Sequence, residues 1–180
     1  MDKAPTTDTI TLAGGCFWCL EAVYEQVRGV VSVESGYSNG RVVNPSYEAV
    51  CSGDTGHAEV VRVQFDPAVV SLRELLEVFF SIHDPTTRDR QGNDVGSQYR
   101  SGIYTHSEAQ ADVARGVIAE VNTATGGRVV TELEPVANYW RAEAYHQHYF
   151  VQHPGQGYCA VVVAPKVEKF RHSFKRLMRV

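Results

Sequence analysis

The chain has 180 residues, enough for one sizeable core and short for two. With 43% apolar residues, 21% charged residues and a net charge of -4, it lacks the basic footprint of a nucleic-acid binder. No apolar run approaches the ~20 residues of a membrane span. The polar stretch Met1 to Asp8 lacks the basic-then-apolar order of a signal peptide, so a cytoplasmic protein with no membrane partner is expected. In that compartment, four cysteines point to chemistry or metal binding rather than to structural disulfides.

Thr9-Ile10-Thr11-Leu12-Ala13 reads as a strand. Gly14 and Gly15 follow, and then Phe17, Leu20, Val23, Tyr24 and Val27 recur at near-helical spacing until Gly29. Cys16 therefore sits where a strand gives way to a helix. Unpaired N–H groups and the positive end of the macrodipole favour an anion there, so a thiol pKa of ~8.5 is expected to fall toward neutrality. The two glycines allow close approach of another molecule, and Phe17 with Trp18 offers an apolar pocket wall. A buried structural cysteine is the usual reading of a lone Cys. Here glycines, aromatics and helix start agree on a reactive thiol.

Val30 to Ser35 is a strand ending at Gly36, and Tyr37 to His57 is dense in turn residues and reads as a long functional loop. Glu59 to Phe65 is a valine-rich strand. Ser71 to Ile82 opens with Ser71 and Glu74 in capping-box order and is a helix. The polar stretch His83 to Ser97 is a second long loop, followed by a strand over Tyr99 to Thr105. Ser107 and Gln110 start a helix to about Val121, Val129 to Leu133 is a strand, and Ala142 to about Gln152 is a helix. From Gly155 a loop runs through Tyr158-Cys159-Ala160 into a helix whose solvated face carries six of the 17 Lys+Arg. The first six elements run βαββαβ. The expected class is α+β, a ferredoxin-like split βαβ core with long functional loops and C-terminal additions, in a single catalytic domain over 1–180.

The runs GGCFWCLE (14–21), GYSNG (36–40), NPSYEAVCSGDTGHAEVV (44–61), HDPTTRDRQGNDVGSQYRS (83–101) and AEAYHQHY (142–149) occur in order along nearly the whole chain. Together they resemble peptide methionine sulfoxide reductase of the A class. The resemblance implies reduction of the S epimer of methionine sulfoxide, in oxidised protein or as the free amino acid. It makes Cys16 the nucleophile and Glu59 the proton donor, with Tyr47 and Tyr99 bonding the sulfoxide oxygen, Asp94 acting through water, and Phe17 and Trp18 cradling the substrate methyl group. Partial burial at a strand end would keep Glu59 protonated. Attack on the sulfoxide leaves a sulfenic acid on Cys16, low on the oxidation ladder. Cys159 matches the resolving position, and its loop setting suits the excursion to Cys16. The resemblance further implies thioredoxin as reductant, no bound cofactor and no metal; a monomer is expected.

The family most often has Gly at the position of Cys19. Cys16-x-x-Cys19 has the spacing of dithiol redox motifs, so Cys19 is either a second resolving or relay thiol or a small helix residue. Cys51 is read as a spectator. The alternative function is a thioredoxin-like dithiol oxidoreductase using Cys16 and Cys19, which leaves Glu59, Asp94 and the tyrosines unexplained. A metal module of Cys16, Cys19, Cys51 and His57 lacks the repeated ligand pairs of a structural zinc site.

Overall fold

The computed structural model describes residues 6–179, so most of the polar stretch Met1 to Asp8 lies outside the described residues. Strand β1 (Asp8–Gly14) runs down the middle of a six-stranded sheet. Helix α1 (Phe17–Tyr24) follows, then β2 (Val30–Ser38), a one-turn helix α2 (Tyr47–Cys51), β3 (Ala58–Phe65) and helix α3 (Leu72–Ile82). A small hairpin of β4 (Arg90–Gln91) and β5 (Asp94–Val95) precedes β6 (Ser101–Thr105). Helix α4 (Glu108–Ala124), β7 (Glu132–Pro135) and β8 (Trp140–Arg141) complete the sheet.

The strand order is β7-β6-β1-β3-β2-β8. Its four central strands are antiparallel throughout, with Leu12 opposite Val61 on one side and Ile103 on the other. Numbered within the βαββαβ unit, that order is 4-1-3-2, the split βαβ arrangement expected from the element order. β7 adds a parallel edge strand to β6 and β8 an antiparallel one to β2. The main core lies between the sheet and the helices, where Ile10, Leu12, Phe17, Leu20, Tyr24, Leu76 and Phe79 are fully or almost fully buried. A smaller cluster of Ala13, Ala58, Val60 and Tyr104 fills the opposite face beneath Val136 and Tyr139.

Local chemistry fixes the ends of the elements. Ser71 and Glu74 form the full reciprocal capping box at α3, and Ser107 accepts the Gln110 N–H at the start of α4. Gly15 takes φ of +91°, a left-handed conformation that costs a side-chain-bearing residue 1–2 kcal/mol. A Cβ on Gly15 would also lie 2.8 Å from Cγ of Gln91, so the β4–β5 hairpin packs directly on this glycine. Gln91 is held in turn by the main chain of Asp84, to which its amide both donates and accepts.

Several boundaries differ from the sequence reading. Tyr99 closes a 3-10 turn (Ser97–Tyr99) and the strand begins at Ser101, because the chain must first come away from the hairpin. The strand expected over Val129 to Leu133 lies at Glu132–Pro135, where β6 supplies a register partner. The segment Ala142 to Gln152 is not one helix. It is a 3-10 turn (Ala144–His146), a left-handed His148 and the single turn α5 (Tyr149–Gln152). Cys159, expected on a loop, lies in a helical run from Gly157 to Ser173 that contains a π turn (Cys159–Val163) and helix α6 (Ala164–Ser173). Burial of Cys159, Val163, Val167 and Phe170 against the core gives that run its helical anchor.

Gly15→Ala is expected to destabilise the fold by about 2 kcal/mol, from the backbone conformation plus the Gln91 contact. A shift of the urea midpoint of that order at unchanged m-value would establish it.

Candidate active site

The last strand residue of β1, the Gly15 turn and the cap of α1 set Cys16 at the end of the central strand, 9% exposed, with extended backbone angles. The Phe17 N–H immediately after it donates to Glu59 Oε1 at 3.1 Å. Glu59 is the second residue of β3 and is 1% exposed. Burial pushes its carboxyl up to about 8 against the pull of the Phe17 N–H, and the charge of Asp94 adds to the rise. A neutral carboxylic acid therefore stands beside Cys16 at neutral pH.

The thiols depart from the sequence expectation. Burial pushes the Cys16 thiol well up rather than down; its hydrogen bond with Cys19 and the charge of Glu59 act the same way, and the Trp18 N–H opposes only in part. The helix start still acts in the expected direction through that N–H, but burial outweighs it. Cys19, fully buried one turn on, moves the other way, to about 7. The hydrogen bond from Cys16 is the main cause, burial opposes it, and the nearby ammonium of Lys166 assists.

Around this pair stands an aromatic enclosure. Trp18 stacks on Tyr149 with ring centroids 3.9 Å apart and 6° between the planes, and meets Tyr158 edge-on at 5.9 Å. Phe17 lies between Tyr37 and His146, at 5.7 and 5.0 Å. Tyr47 opens α2 and faces His146 at 4.4 Å. Tyr47 and Tyr99 are half-buried. Their hydroxyls are raised above the usual range by burial first and by the charge of Glu59 next, so both remain donors. Asp94, on the hairpin docked over Gly15, accepts the Tyr158 hydroxyl at 2.6 Å.

The segment after β8 braces the enclosure. Glu143 accepts the Tyr37 hydroxyl at 2.8 Å and the Tyr47 N–H at 2.9 Å. Gln147 accepts from the N–H of Ser35 and donates to its carbonyl, pinning the segment to β2. Trp18 donates its indole N–H to His146 Nδ1 at 3.1 Å, and Glu21 accepts the Tyr149 N–H at 3.2 Å.

The structure thus gathers Cys16, Phe17, Trp18, Cys19, Tyr47, Glu59, Asp94 and Tyr99 into one cluster. Cys159 is buried on the helix, and burial first and the charge of nearby Cys19 next raise its thiol. Cys51 is exposed at the end of α2. His57 is committed to the Gly40 N–H and the Val42 carbonyl, so the four-ligand metal arrangement does not form. Glu143, His146, Tyr149 and Tyr158 went unassigned in the sequence reading. AEAYHQHY covers Glu143, His146 and Tyr149, and Tyr158 adjoins Cys159, but nothing in the spacing says which side chains turn inward.

The profile of the family described as peptide methionine sulfoxide reductase matches residues 8–178. The chain belongs to this family. A relative named peptide methionine sulfoxide reductase MsrA, from Polynucleobacter asymbioticus, is 59% identical over 97% of this chain and 93% of its own. Reduced Mxr1 from Saccharomyces cerevisiae superposes with a TM-score of 0.81 at 39% identity, covering 91% of this chain and 94% of that one. Mxr1 has also been solved in complex with Trx2, with a TM-score of 0.57 at 31% identity over 83% of this chain and 89% of that one. The protein is a methionine sulfoxide reductase of the MsrA class with an α+β fold, and the thioredoxin-like alternative is set aside. Among the described residues of the reductase, no helix is long and apolar enough to cross a membrane.

Glu59→Gln is expected to stabilise the reductase, because a carboxyl that ionises near pH 4 when unfolded must stay neutral when folded. With the folded value raised to about 8, the wild type loses stability as pH climbs from about 4 to about 8. The Tm advantage of the variant should accordingly be small at pH 4 and grow up to pH 8. A pH-independent difference would contradict the buried, neutral carboxyl.

Proposed function

We propose that the chain reduces the S epimer of methionine sulfoxide by direct attack of Cys16 sulfur on the sulfoxide sulfur, with Glu59 as proton donor. The observation that carries this reading is the fully buried Glu59, neutral at pH 7 and bonded to the N–H that follows Cys16. As the new S–S contact forms and the sulfur–oxygen bond weakens, the oxygen gains negative charge. Proton transfer from Glu59 and hydrogen bonds from Tyr47 and Tyr99 stabilise that charge. In the net step the oxygen passes to Cys16 as a sulfenic acid, the thiol proton ends on that oxygen, and methionine leaves. Phe17 and Trp18 hold the methyl group, and Asp94 with Tyr158 orders water at the edge.

Cys19 is the first resolving thiol in this scheme. It already shares a hydrogen bond with Cys16, and its ordinary range is lowered to about 7, which gives it thiolate character at neutral pH. Its attack on the sulfenic acid expels water and leaves a Cys16–Cys19 disulfide. Cys159 then exchanges onto Cys19, which requires the π-turn segment to unwind, and thioredoxin reduces the disulfide so presented. The complex of Mxr1 with Trx2 supports a thioredoxin as reductant. The chain works as a single catalytic domain without a bound cofactor.

With thioredoxin, its reductase and NADPH supplied, turnover is expected with the S epimer and none with the R epimer, as separate enzymes handle the two. Equal turnover of both would reject the assignment. In single turnover, Glu59→Gln should slow sulfenic-acid formation by about 10²–10⁴-fold. The wild-type rate of that step should fall as pH rises through about 8, where the acid is lost. After one stoichiometric turnover, Cys159→Ser should hold the Cys16–Cys19 disulfide, and Cys19→Ser should accumulate sulfenic acid. Prompt formation of a Cys16–Cys159 disulfide in Cys19→Ser would reverse the proposed order.

A further inference from the structure

Lys166 follows Val163 by three residues and precedes Phe170 by four, so it shares the face that α6 turns to the core. The helix packs against α1, and Lys166 is partly buried. It lines a cavity of about 600 Å³ with His83, Asp84, Gln91, Asp94 and Tyr158. The charged and titratable groups of that cavity are already committed. Asp84 accepts the N–H and the hydroxyl of Thr86 at 2.9 and 2.6 Å, and Asp94 accepts the Tyr158 hydroxyl. His83 uses Nδ1 on the Phe79 carbonyl and Nε2 on the Ser101 hydroxyl, and burial pushes it down to about 4, so its ring is neutral at pH 7. The other cation of the lining, Lys169, is exposed.

Among the described residues, Lys166 forms no ion pair. An ammonium drawn out of water needs an acceptor, and the sulfur of Cys19 is within its reach. The two thiols of the pair are therefore flanked unequally. At Cys16, burial first, then the Cys19 bond and the charge of Glu59, disfavour an anion. At Cys19 the hydrogen bond from Cys16 favours one and burial opposes it; the charge of Lys166, the Tyr158 hydroxyl and a bond from Lys166 add to the favourable side. Glu59 is neutral at pH 7 and burial raises Cys159, so neither competes for the charge.

We propose that the Lys166 ammonium is the counter-ion of the Cys19 thiolate, a positioning residue that places the negative charge of the thiol pair on the resolving sulfur. The inference rests on the reading of Cys19 as the first resolving thiol. With the charge there, Cys19 attacks the sulfur of the Cys16 sulfenic acid. A sulfur–sulfur bond forms and the sulfur–oxygen bond breaks. The oxygen leaves as water, carrying its own hydrogen and a proton from solvent equal to the one that Cys19 released. Cys16 sulfur is reduced and Cys19 sulfur oxidised to the level of the disulfide.

The test follows one stoichiometric turnover in the Cys159→Ser background, where only the first resolving event is read. Sulfenic acid is trapped with dimedone, and the disulfide is counted by alkylation and mass spectrometry. With Lys166 in place, the rate of Cys16–Cys19 bond formation should rise with pH and level off above about 7. In Lys166→Met the rise should move toward the ~8.5 of a free thiol, a loss on the order of tenfold at pH 7. By about pH 9 the variant should match or exceed the parent, because a less stabilised thiolate is the better nucleophile. Lys166→Arg keeps the charge and should follow the parent profile. A merely structural role would lower the rate at every pH alike. An unshifted profile in Lys166→Met, or an arginine variant that behaves like the methionine one, would overturn the proposal. A second measurement needs no substrate. In the reduced wild-type protein the first thiolate seen by ultraviolet absorbance should appear near pH 7, and in Lys166→Met at higher pH; an unmoved first step would also overturn it. Sulfenic acid left unresolved in Cys159→Ser with Lys166 intact would instead reject Cys19 as the resolving thiol, and the titration would then decide the counter-ion by itself.

Discussion

One hydrogen bond joins the two halves of the chemistry: the Phe17 N–H to Glu59 Oε1. It uses the first free N–H of α1 to hold a carboxyl on the neighbouring strand. Both partners are buried, so the carboxyl stays protonated and the Cys16 thiol rises with it. The site thus stores protons at the acid and at the nucleophile instead of preforming a thiolate. Folding gives up stability at neutral pH to keep a carboxyl neutral in the core, a recurring feature of positions reserved for acid chemistry.

The rest of the architecture keeps that bond dry and aimed. The β4–β5 hairpin can close over Gly15 because no side chain there strikes Gln91, and this brings Asp94 to the Tyr158 hydroxyl. On the other side, residues 142–149 are stapled to the sheet through Gln147 and to the tyrosines through Glu143. Trp18 is fixed on two edges, stacked by Tyr149 and hydrogen-bonded by His146. These are contacts between segments more than 60 residues apart, so the enclosure forms only when the whole sheet has formed. Cys159 sits in tension with this order. Its helix is anchored by Val163, Val167 and Phe170, yet the π turn at Cys159–Val163 is a weak point of the kind helices carry where function requires rearrangement.

Much of the fold was legible because its signals are local. Ser71 with Glu74 and Ser107 with Gln110 mark helix starts through side-chain bonds to N–H groups three residues on. Alternating valines mark β3 through the two-residue period of a pleated strand. The segment after Ala142 was misread as a helix because its residues have adequate helical propensity. The bonds that bend it, from the Ser35 N–H to Gln147 and from the Tyr47 N–H to Glu143, come from strands and helices far away in sequence. Cys159 was misread for the opposite reason. The glycines around it resemble a loop, and only burial against α1 makes a helix the better solution.

The sequence by itself determined the order of the elements, the motif GGCFWC at the strand–helix junction, and the family through the ordered runs that accompany it. Those depend on residue identity and spacing. Tertiary structure alone decided the protonation of the site and which side chains look inward. A pKa depends on how much water and how many charges surround a group, and neither is written in its neighbours along the chain. For that reason Cys16 moved up where its helix position alone would have moved it down. For the same reason His146, one histidine among seven, became the residue with a buried ring nitrogen left unpartnered among the described residues.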